Sequence, residues 1–200
     1  MLPVQRQVRL WHAAAVAAVL LGVLAFTIIR PFGTTVTPPA SAPSTARCPD
    51  QTAEPTSISQ SQYTKAVICL VNYERATHGL QTLRMNARLG NAAYGHAADM
   101  RTHDYFAHVS PSGSTPKSRD FRAHYLPGIG RWRIGEDLAW GAGNGGTPRA
   151  VVQAWMHSTV HRHEILTASY RDVGVGVARG SPTGADSPNV VTIDAGFGHR

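Results

Sequence analysis

Between Ala13 and Ile29 the chain runs for seventeen residues, AAAVAAVLLGVLAFTII, without a charged side chain, and Arg6 and Arg9 precede the run. Such a run is membrane-directed. It exceeds a usual signal-peptide core and sits at the short end of the roughly 17 to 25 helical residues that cross a hydrocarbon layer. A cleavable signal would show a small-x-small site soon afterwards, but Arg30, Pro31 and Phe32 follow directly, and the nearest such sites end at Ala42 and Ala46. Residues 1–30 therefore read as an uncleaved signal-anchor or, in the alternative, a cleaved signal peptide. The basic residues ahead of the run place the N-terminus in the cytoplasm, and both readings export residues 31–200. From Thr34 to Ala46 nine of thirteen residues are Ser, Thr or Pro, too little apolar surface to offset the entropy of ordering them. Residues 31–61 are thus expected to be a linker without regular structure, and the folded domain is confined to residues 62–200.

A composition of 42% hydrophobic and 16% charged residues over 200 positions suits one globular domain and excludes a wholly disordered chain. The formal charge of +7 includes Arg6, Arg9 and Arg30 around the apolar run. The remaining positive charge is spread, without a Lys/Arg run or aromatic interleaving, so no nucleic-acid partner is expected. Two cysteines exclude a four-thiolate zinc site and a disulfide-dense scaffold. Because Cys48 and Cys69 both lie in the exported part, an intramolecular disulfide is predicted; the alternative is a buried thiol at Cys69 on an apolar helix face.

Val67, Leu70, Val71 and Glu74 recur at helical spacing and Gly79 stops the pattern, which predicts a helix over about 64–78. A second helix fits NARLGNAAYGHAADMRTH, capped by Asn86, with Leu89, Ala93, Ala97 and Met100 on one stripe. Thr115-Pro116 and Thr147-Pro148 each pair a capping hydroxyl with a proline suited to the first helical position, so helices begin at both. In RDVGVGVAR, Val173, Val175 and Val177 alternate with small or polar residues, and VVTIDAGFG closes the chain in similar style. These read as antiparallel strands joined by a turn. Helices first and strands last imply α+β, with helices packed on a small antiparallel sheet.

No G-x-S-x-G elbow, P-loop or dinucleotide fingerprint is present, and the H-E opening at His163-Glu164 lacks the second zinc histidine because Thr167 stands in its place. Polar residues stand out in YFAH at His108, IGEDLAWG at Glu136 and AWMHSTVHRHEIL at His161. The ordered segments VNYERATHGL, AADMRTHDYFAHVSPSG, GEDLAWG, AWMHSTVHRHEIL and YRDVGVGVA resemble the bacterial branch of the CAP superfamily, the SCP domains of cysteine-rich secretory, antigen 5 and pathogenesis-related proteins. The resemblance spans about residues 64–198. It implies an α-β-α sandwich with a cleft where two His and two acidic residues converge, sometimes around a divalent cation. His108 then matches the His of Y-F-x-H, Glu136 the Glu of G-E-N, and His161 the His of S-P-G-H-R-x-N-I.

This sequence departs from that pattern at several places. Trp155, Met156, His157 and Ser158 occupy the neighbourhood of the second Glu, Asp137 replaces the Asn of G-E-N, Thr159-Val160 replaces Pro-Gly, and Glu164 replaces the last Asn. Two neutral imidazoles and a carboxylate suit one divalent cation, zinc favoured, with an open position for water. The same groups can bind another ligand, form a purely structural hydrogen-bonded network, or support a metal-assisted hydrolase acting on an envelope peptide or ester. No catalytic residue is assigned. His157, four residues before His161, is expected in solvent, while Tyr105, Phe106, Trp140 and Trp155 are expected to pack the core around the cleft. Arg119, Arg122, Arg131 and Arg133 form either a solvated loop or a basic surface for an acidic envelope component or lipid.

Overall fold

A computed structural model of the chain describes residues 44–184 and 189–199. The apolar run at 13–29, and with it the signal-anchor or signal-peptide reading, lies outside the described residues, as does most of the Ser/Thr/Pro tract. Among the described residues no helix is long and apolar enough to cross a membrane.

The alternation of valine and glycine in strand β3 (Asp172–Arg179) sets the layering. Val173, Val175 and Val177 enter one core, together with Val191, Ile193, Ala195 and Phe197 of β4 (Val190–His199), Val67 and Val71 of α1 (Gln60–Thr77), and Val151 and Trp155 of α4 (Pro148–His157). Gly174 and Gly176 face the opposite way, toward α2 (Ala87–Thr102), whose stripe of Leu89, Ala93, Ala97 and Met100 is buried as its spacing predicts. A Cβ built on Gly176 would lie 2.0 Å from the Tyr94 backbone nitrogen, and one on Gly174 would lie 2.1 Å from that of Gly90. Glycine here lets helix and sheet backbones meet.

The sheet order is β1-β3-β4-β2, with β1 (Arg84–Met85) parallel to β3 and the other pairs antiparallel. Helices α1, α4 and α5 (Thr159–Ile165) cover one face; α2 and α3 (Pro116–Arg122) cover the other. This is the expected α+β class as a three-layer α-β-α sandwich. The hairpin from β3 to β4 is also as expected. Strand β2 (Arg133–Ala142) was not foreseen; it forms the sheet edge beyond β4 and carries the whole GEDLAWG segment.

Local chemistry explains most boundaries. Ser59 and Gln62 form a capping box that starts α1 one turn earlier than the apolar spacing suggests, and Gly79 past its end has φ +69°. Asn86, Thr115 and Thr147 cap α2, α3 and α4 with side-chain acceptors as predicted. Arg75 of α1 is fully buried and donates to the carbonyls of Gln81, Ile165 and Thr167, which fixes the C-terminal end of α5. Trp155 Nε1 donates to the Leu138 carbonyl at 3.0 Å and ties α4 to β2.

Before α1 the described chain holds a single 3-10 turn, Thr45–Arg47, and Cys48 is buried in the main core. The predicted disulfide joins Cys48 to Cys69 of α1. Closing this loop restricts the unfolded chain, so replacing both cysteines by alanine is expected to lower the unfolding free energy by about 3 kcal/mol. Denaturant titration of the two proteins checks this.

Candidate functional site

Along β2, Ile134 packs with Leu89 and Tyr125 on the α2 side, whereas Gly135 lies against Glu164 and Tyr170 of the opposite layer. The period-two alternation of a strand therefore sends Glu136 toward α2 and α3, and Asp137 toward α5. Glu136 is almost wholly enclosed, and each of its oxygens accepts from a different element. Oε2 accepts from His108 Nδ1 at 2.8 Å, and Oε1 accepts from Arg119 Nη2 at 2.6 Å. Arg119 also donates to the backbone carbonyls of His108 at 2.8 Å and Ser114 at 2.9 Å. One guanidinium thus fixes both the carboxylate and the loop that presents His108. The expectation of Arg119 in a solvated or envelope-facing basic loop fails: it is 7% exposed because it neutralises Glu136.

These contacts set the protonation states. Burial pushes Glu136 upward, but the His108 hydrogen bond and the Arg119 charge outweigh it and hold the carboxyl below its usual range. The hydrogen bond to Glu136 raises His108, against a smaller opposing effect of burial. His161, on α5, is lowered by burial and then by the nearby charge of His108. His108 and Glu136 are therefore in direct contact, while His161 is coupled to His108 through space and hydrogen-bonds to neither among the described residues.

Behind Glu136 lies a pair that the sequence reading did not single out. His96 Nδ1 is 2.8 Å from Asp194 Oδ2 and 3.7 Å from Glu136 Oε1, and His96 and Asp194 are each 1% exposed. Among the described residues, His96, Glu136 and Asp194 form the group of three metal-ligating side chains whose ligand atoms all lie within 4.8 Å of one another; His108, Glu136 and His161 do not form such a group. Burial lowers His96 to about 4. Asp194 is raised by burial and then by the charge of Glu136. The signal was available: His96 follows Ala93 by three on the buried stripe, and Asp194 interrupts an apolar strand.

The model of the Cysteine-rich secretory protein family, CAP, matches residues 69–194. The chain belongs to the CAP family. Its relatives include the uncharacterized protein YkwD of Bacillus subtilis, 36% identical over 138 residues that cover 68% of this chain and 50% of YkwD. The uncharacterized membrane protein YlbC of the same organism is 33% identical over 115 residues, 58% of this chain and 31% of YlbC. The chain thus spans half or less of the length of these curated relatives. Among solved structures, an extracellular Bacillus anthracis protein containing an SCP domain is 25% identical with a TM-score of 0.58, over 70% of this chain and 41% of that one. An outer surface protein of Borrelia burgdorferi shares the fold at 21% identity and TM-score 0.58, over 72% of this chain and 96% of that one.

Within this CAP domain the segment from α4 to α5 is broken. Ser158 has an extended backbone, φ −91° and ψ 123°, so His157 and His161 do not share one helix. His157 is exposed and bonds the Gln153 carbonyl, in keeping with the solvent placement expected. Trp155 is buried, but Phe106 and Trp140 are 41% and 46% exposed rather than packed in the core. Phe106 lies in the loop after α2 and Trp140 on the edge strand, where no further strand covers them.

Asp137 is fully buried, and neither carboxylate oxygen has a hydrogen-bond partner among the described residues. Burial, then the charges of Glu164 and Glu136, raise it to about 8. A carboxyl raised in this way binds its proton more tightly in the folded state, so its contribution falls as pH rises from the unfolded value near 4 to about 8. Asp137→Asn removes the ionisation and is expected to stabilise the domain by about 1–3 kcal/mol at pH 8, and by less at pH 5. Thermal denaturation at the two pH values reads the difference.

Proposed function

We propose that this chain is an exported CAP-domain protein of the cell envelope whose cleft binds a ligand or divalent cation through the imidazoles of His108 and His161. The observation that carries the reading is the His108–Glu136 pair. With Nδ1 bound to a buried carboxylate, the ring of a half-exposed histidine is fixed in orientation and tautomer, and Nε2 on its opposite edge is left for a ligand. Nε2 points away from the Glu136 contact, so Glu136 serves this cleft as the orienting acceptor of His108 rather than as a co-ligand of the same ion. The donor set then comprises two imidazoles, which suits zinc completed by water. Ser158 stands in the neighbourhood of the second acid of a full tetrad, and the charge of Glu164 also reaches His108.

Export is supported by the apolar run at 13–29, by a disulfide suited to an oxidising compartment, and by the extracellular Bacillus anthracis relative. Residues 13–29 act as a signal-anchor, with a cleaved signal peptide as the alternative. Sequencing the N-terminus of the exported form separates them. The opposed shifts of His108, raised by its hydrogen bond to Glu136, and His161, lowered by burial, also favour a second reading, a hydrolase that uses the two imidazoles as proton donor and proton acceptor. Turnover of a model envelope peptide or ester that stops in the His108→Ala and His161→Ala variants would establish it.

The test of the binding reading is calorimetric titration of the full-length chain with zinc. A binding phase belonging to the cleft is expected at pH 7.5 in the wild type and is at least tenfold weaker in His161→Ala, with the unfolding temperature of the metal-free protein little changed. Because cations bind neutral imidazole and His108 is raised, affinity should fall as pH drops, starting above the ordinary histidine value near 6.5. No cation or ligand binding at neutral pH, with His108→Ala or His161→Ala unfolding the domain, would leave only a structural network.

A further inference from the structure

Of the group beneath it on the α2 face of the sheet, the cleft reading uses Glu136 alone. His96 comes from the middle of α2, Glu136 from the edge strand and Asp194 from the central strand β4, three elements far apart in sequence. We propose that His96, Glu136 and Asp194 form a buried binding site for a transition-metal dication of the zinc type, separate from the His108 and His161 imidazoles and joined to His108 through Glu136.

Geometry is the first support. Ligand atoms of one tetrahedral zinc ion, each about 2.0–2.1 Å from the metal, lie about 3.3 Å apart. The His96 Nδ1 separations of 2.8 Å to Asp194 Oδ2 and 3.7 Å to Glu136 Oε1 bracket that value. Small movements would convert the existing hydrogen bond into coordination.

Crowding of acids is the second. The side chains of Asp120, Glu136 and Asp194 are all enclosed, and Arg119 is the cation whose charge acts on each. Enclosed carboxyls are paired, protonated or bound to metal, and a dication would take the place of a proton among them. Asp194 Oδ1 is a further buried oxygen without a hydrogen-bond partner among the described residues.

The surroundings are arranged as a metal site requires. Arg119 and His108 hold Glu136 from outside, as partners beyond the ligands commonly do. The glycine-mediated contact of α2 with β3 keeps His96 pressed toward Asp194. A pocket of about 380 Å³, bordered by His96, Asp99, Ser112, Ser114 and Arg119, offers an approach. An imidazole with carboxylates selects a zinc-like ion over calcium or magnesium, which prefer all-oxygen sets.

The full-length chain, stripped of metal by chelator and dialysed against zinc, decides the matter through bound zinc and unfolding temperature. Asp194→Asn and His96→Gln alter the buried group alone, and His161→Ala alters the cleft alone. The wild type is expected to retain a zinc ion that survives in His161→Ala and is bound at least 100-fold more weakly in Asp194→Asn and His96→Gln. Zinc should raise the unfolding temperature of the first two proteins well beyond any rise that the intact cleft gives Asp194→Asn. Without metal, Asp194→Asn should be as stable as the wild type or more so, since it removes a buried acid. Cobalt in place of zinc should give a visible absorption band that persists in His161→Ala and is weakened in Asp194→Asn.

Zinc uptake by both buried-group variants equal to the wild type would overturn the proposal. So would a wild type that retains no zinc and gains no stability from it. Loss of all binding in His161→Ala, with Asp194→Asn unaffected, would overturn this site and leave the cleft reading standing. The reverse pattern would support the buried site whatever the cleft binds.

Discussion

Replacing Glu136 by alanine is expected to destabilise the domain by about 3–5 kcal/mol, because it strands the Arg119 guanidinium in a site from which water is excluded. The carboxylate is the one acidic group in contact with Arg119 among the described residues; the other acceptors of that guanidinium are the carbonyls of Ser114 and His108. Losing it also frees His108 Nδ1, so the loop after α2 loses two of its ties to β2. The double variant Glu136→Ala/Arg119→Leu removes both members of the pair and should recover a large part of the loss. Denaturant titrations of the three proteins measure this. A single variant within about 0.5 kcal/mol of wild type would mean that Arg119 finds another partner and that the Glu136 contact does not organise the site.

Gly176→Val is expected to cost more than about 3 kcal/mol, or to prevent folding. A Cβ at this position would sit 2.0 Å from the Tyr94 nitrogen and 2.2 Å from the Ala93 carbonyl carbon, both backbone atoms of α2. Backbone cannot swing aside as a flexible side chain does, so the whole helix must lift from the sheet, beyond the usual 1–3 kcal/mol of an overpacked core. Lifting α2 also draws His96 away from Asp194. The control is Gly95→Ala on the exposed side of α2, where nothing lies within 4 Å of the added atom. That change should stabilise by about 0.5–1 kcal/mol through helix propensity. Equal stability of Gly176→Val and wild type would contradict the close packing of α2 on β3.

The elements legible in the sequence are those whose signals are local. Asn86, Thr115 and Thr147 cap helices with their own side chains, and Val173, Val175 and Val177 display the strand period over neighbouring positions. Strand β2 escaped because its sheet-facing residues include Gly135, Glu136 and Asp137, which do not read as a buried strand until the partners are known. The break at Ser158 escaped because no proline or glycine marks it. The cleft residues His108 and Glu136 were reached through motif resemblance. Arg119 was not, since nothing in KSRDFRAH distinguishes the arginine that turns inward from Arg122, which does not. His96 with Asp194 needed tertiary contact: a histidine on an apolar helix face reads as core until an acid 98 residues away is placed beside it.

The central claim is that Glu136 organises and raises His108, while burial lowers His161, as a pair of cleft imidazoles that bind together. The direct measurement is a pH titration of the imidazole resonances by NMR on the isotopically labelled full-length chain, with and without zinc. The expected result is a His108 midpoint above the ordinary value near 6.5 and a His161 midpoint below it. Glu136→Gln should bring the His108 midpoint down, and zinc should perturb both resonances over the same range of concentration. Coincident midpoints for the two histidines, unmoved by Glu136→Gln and by zinc, would contradict the claim.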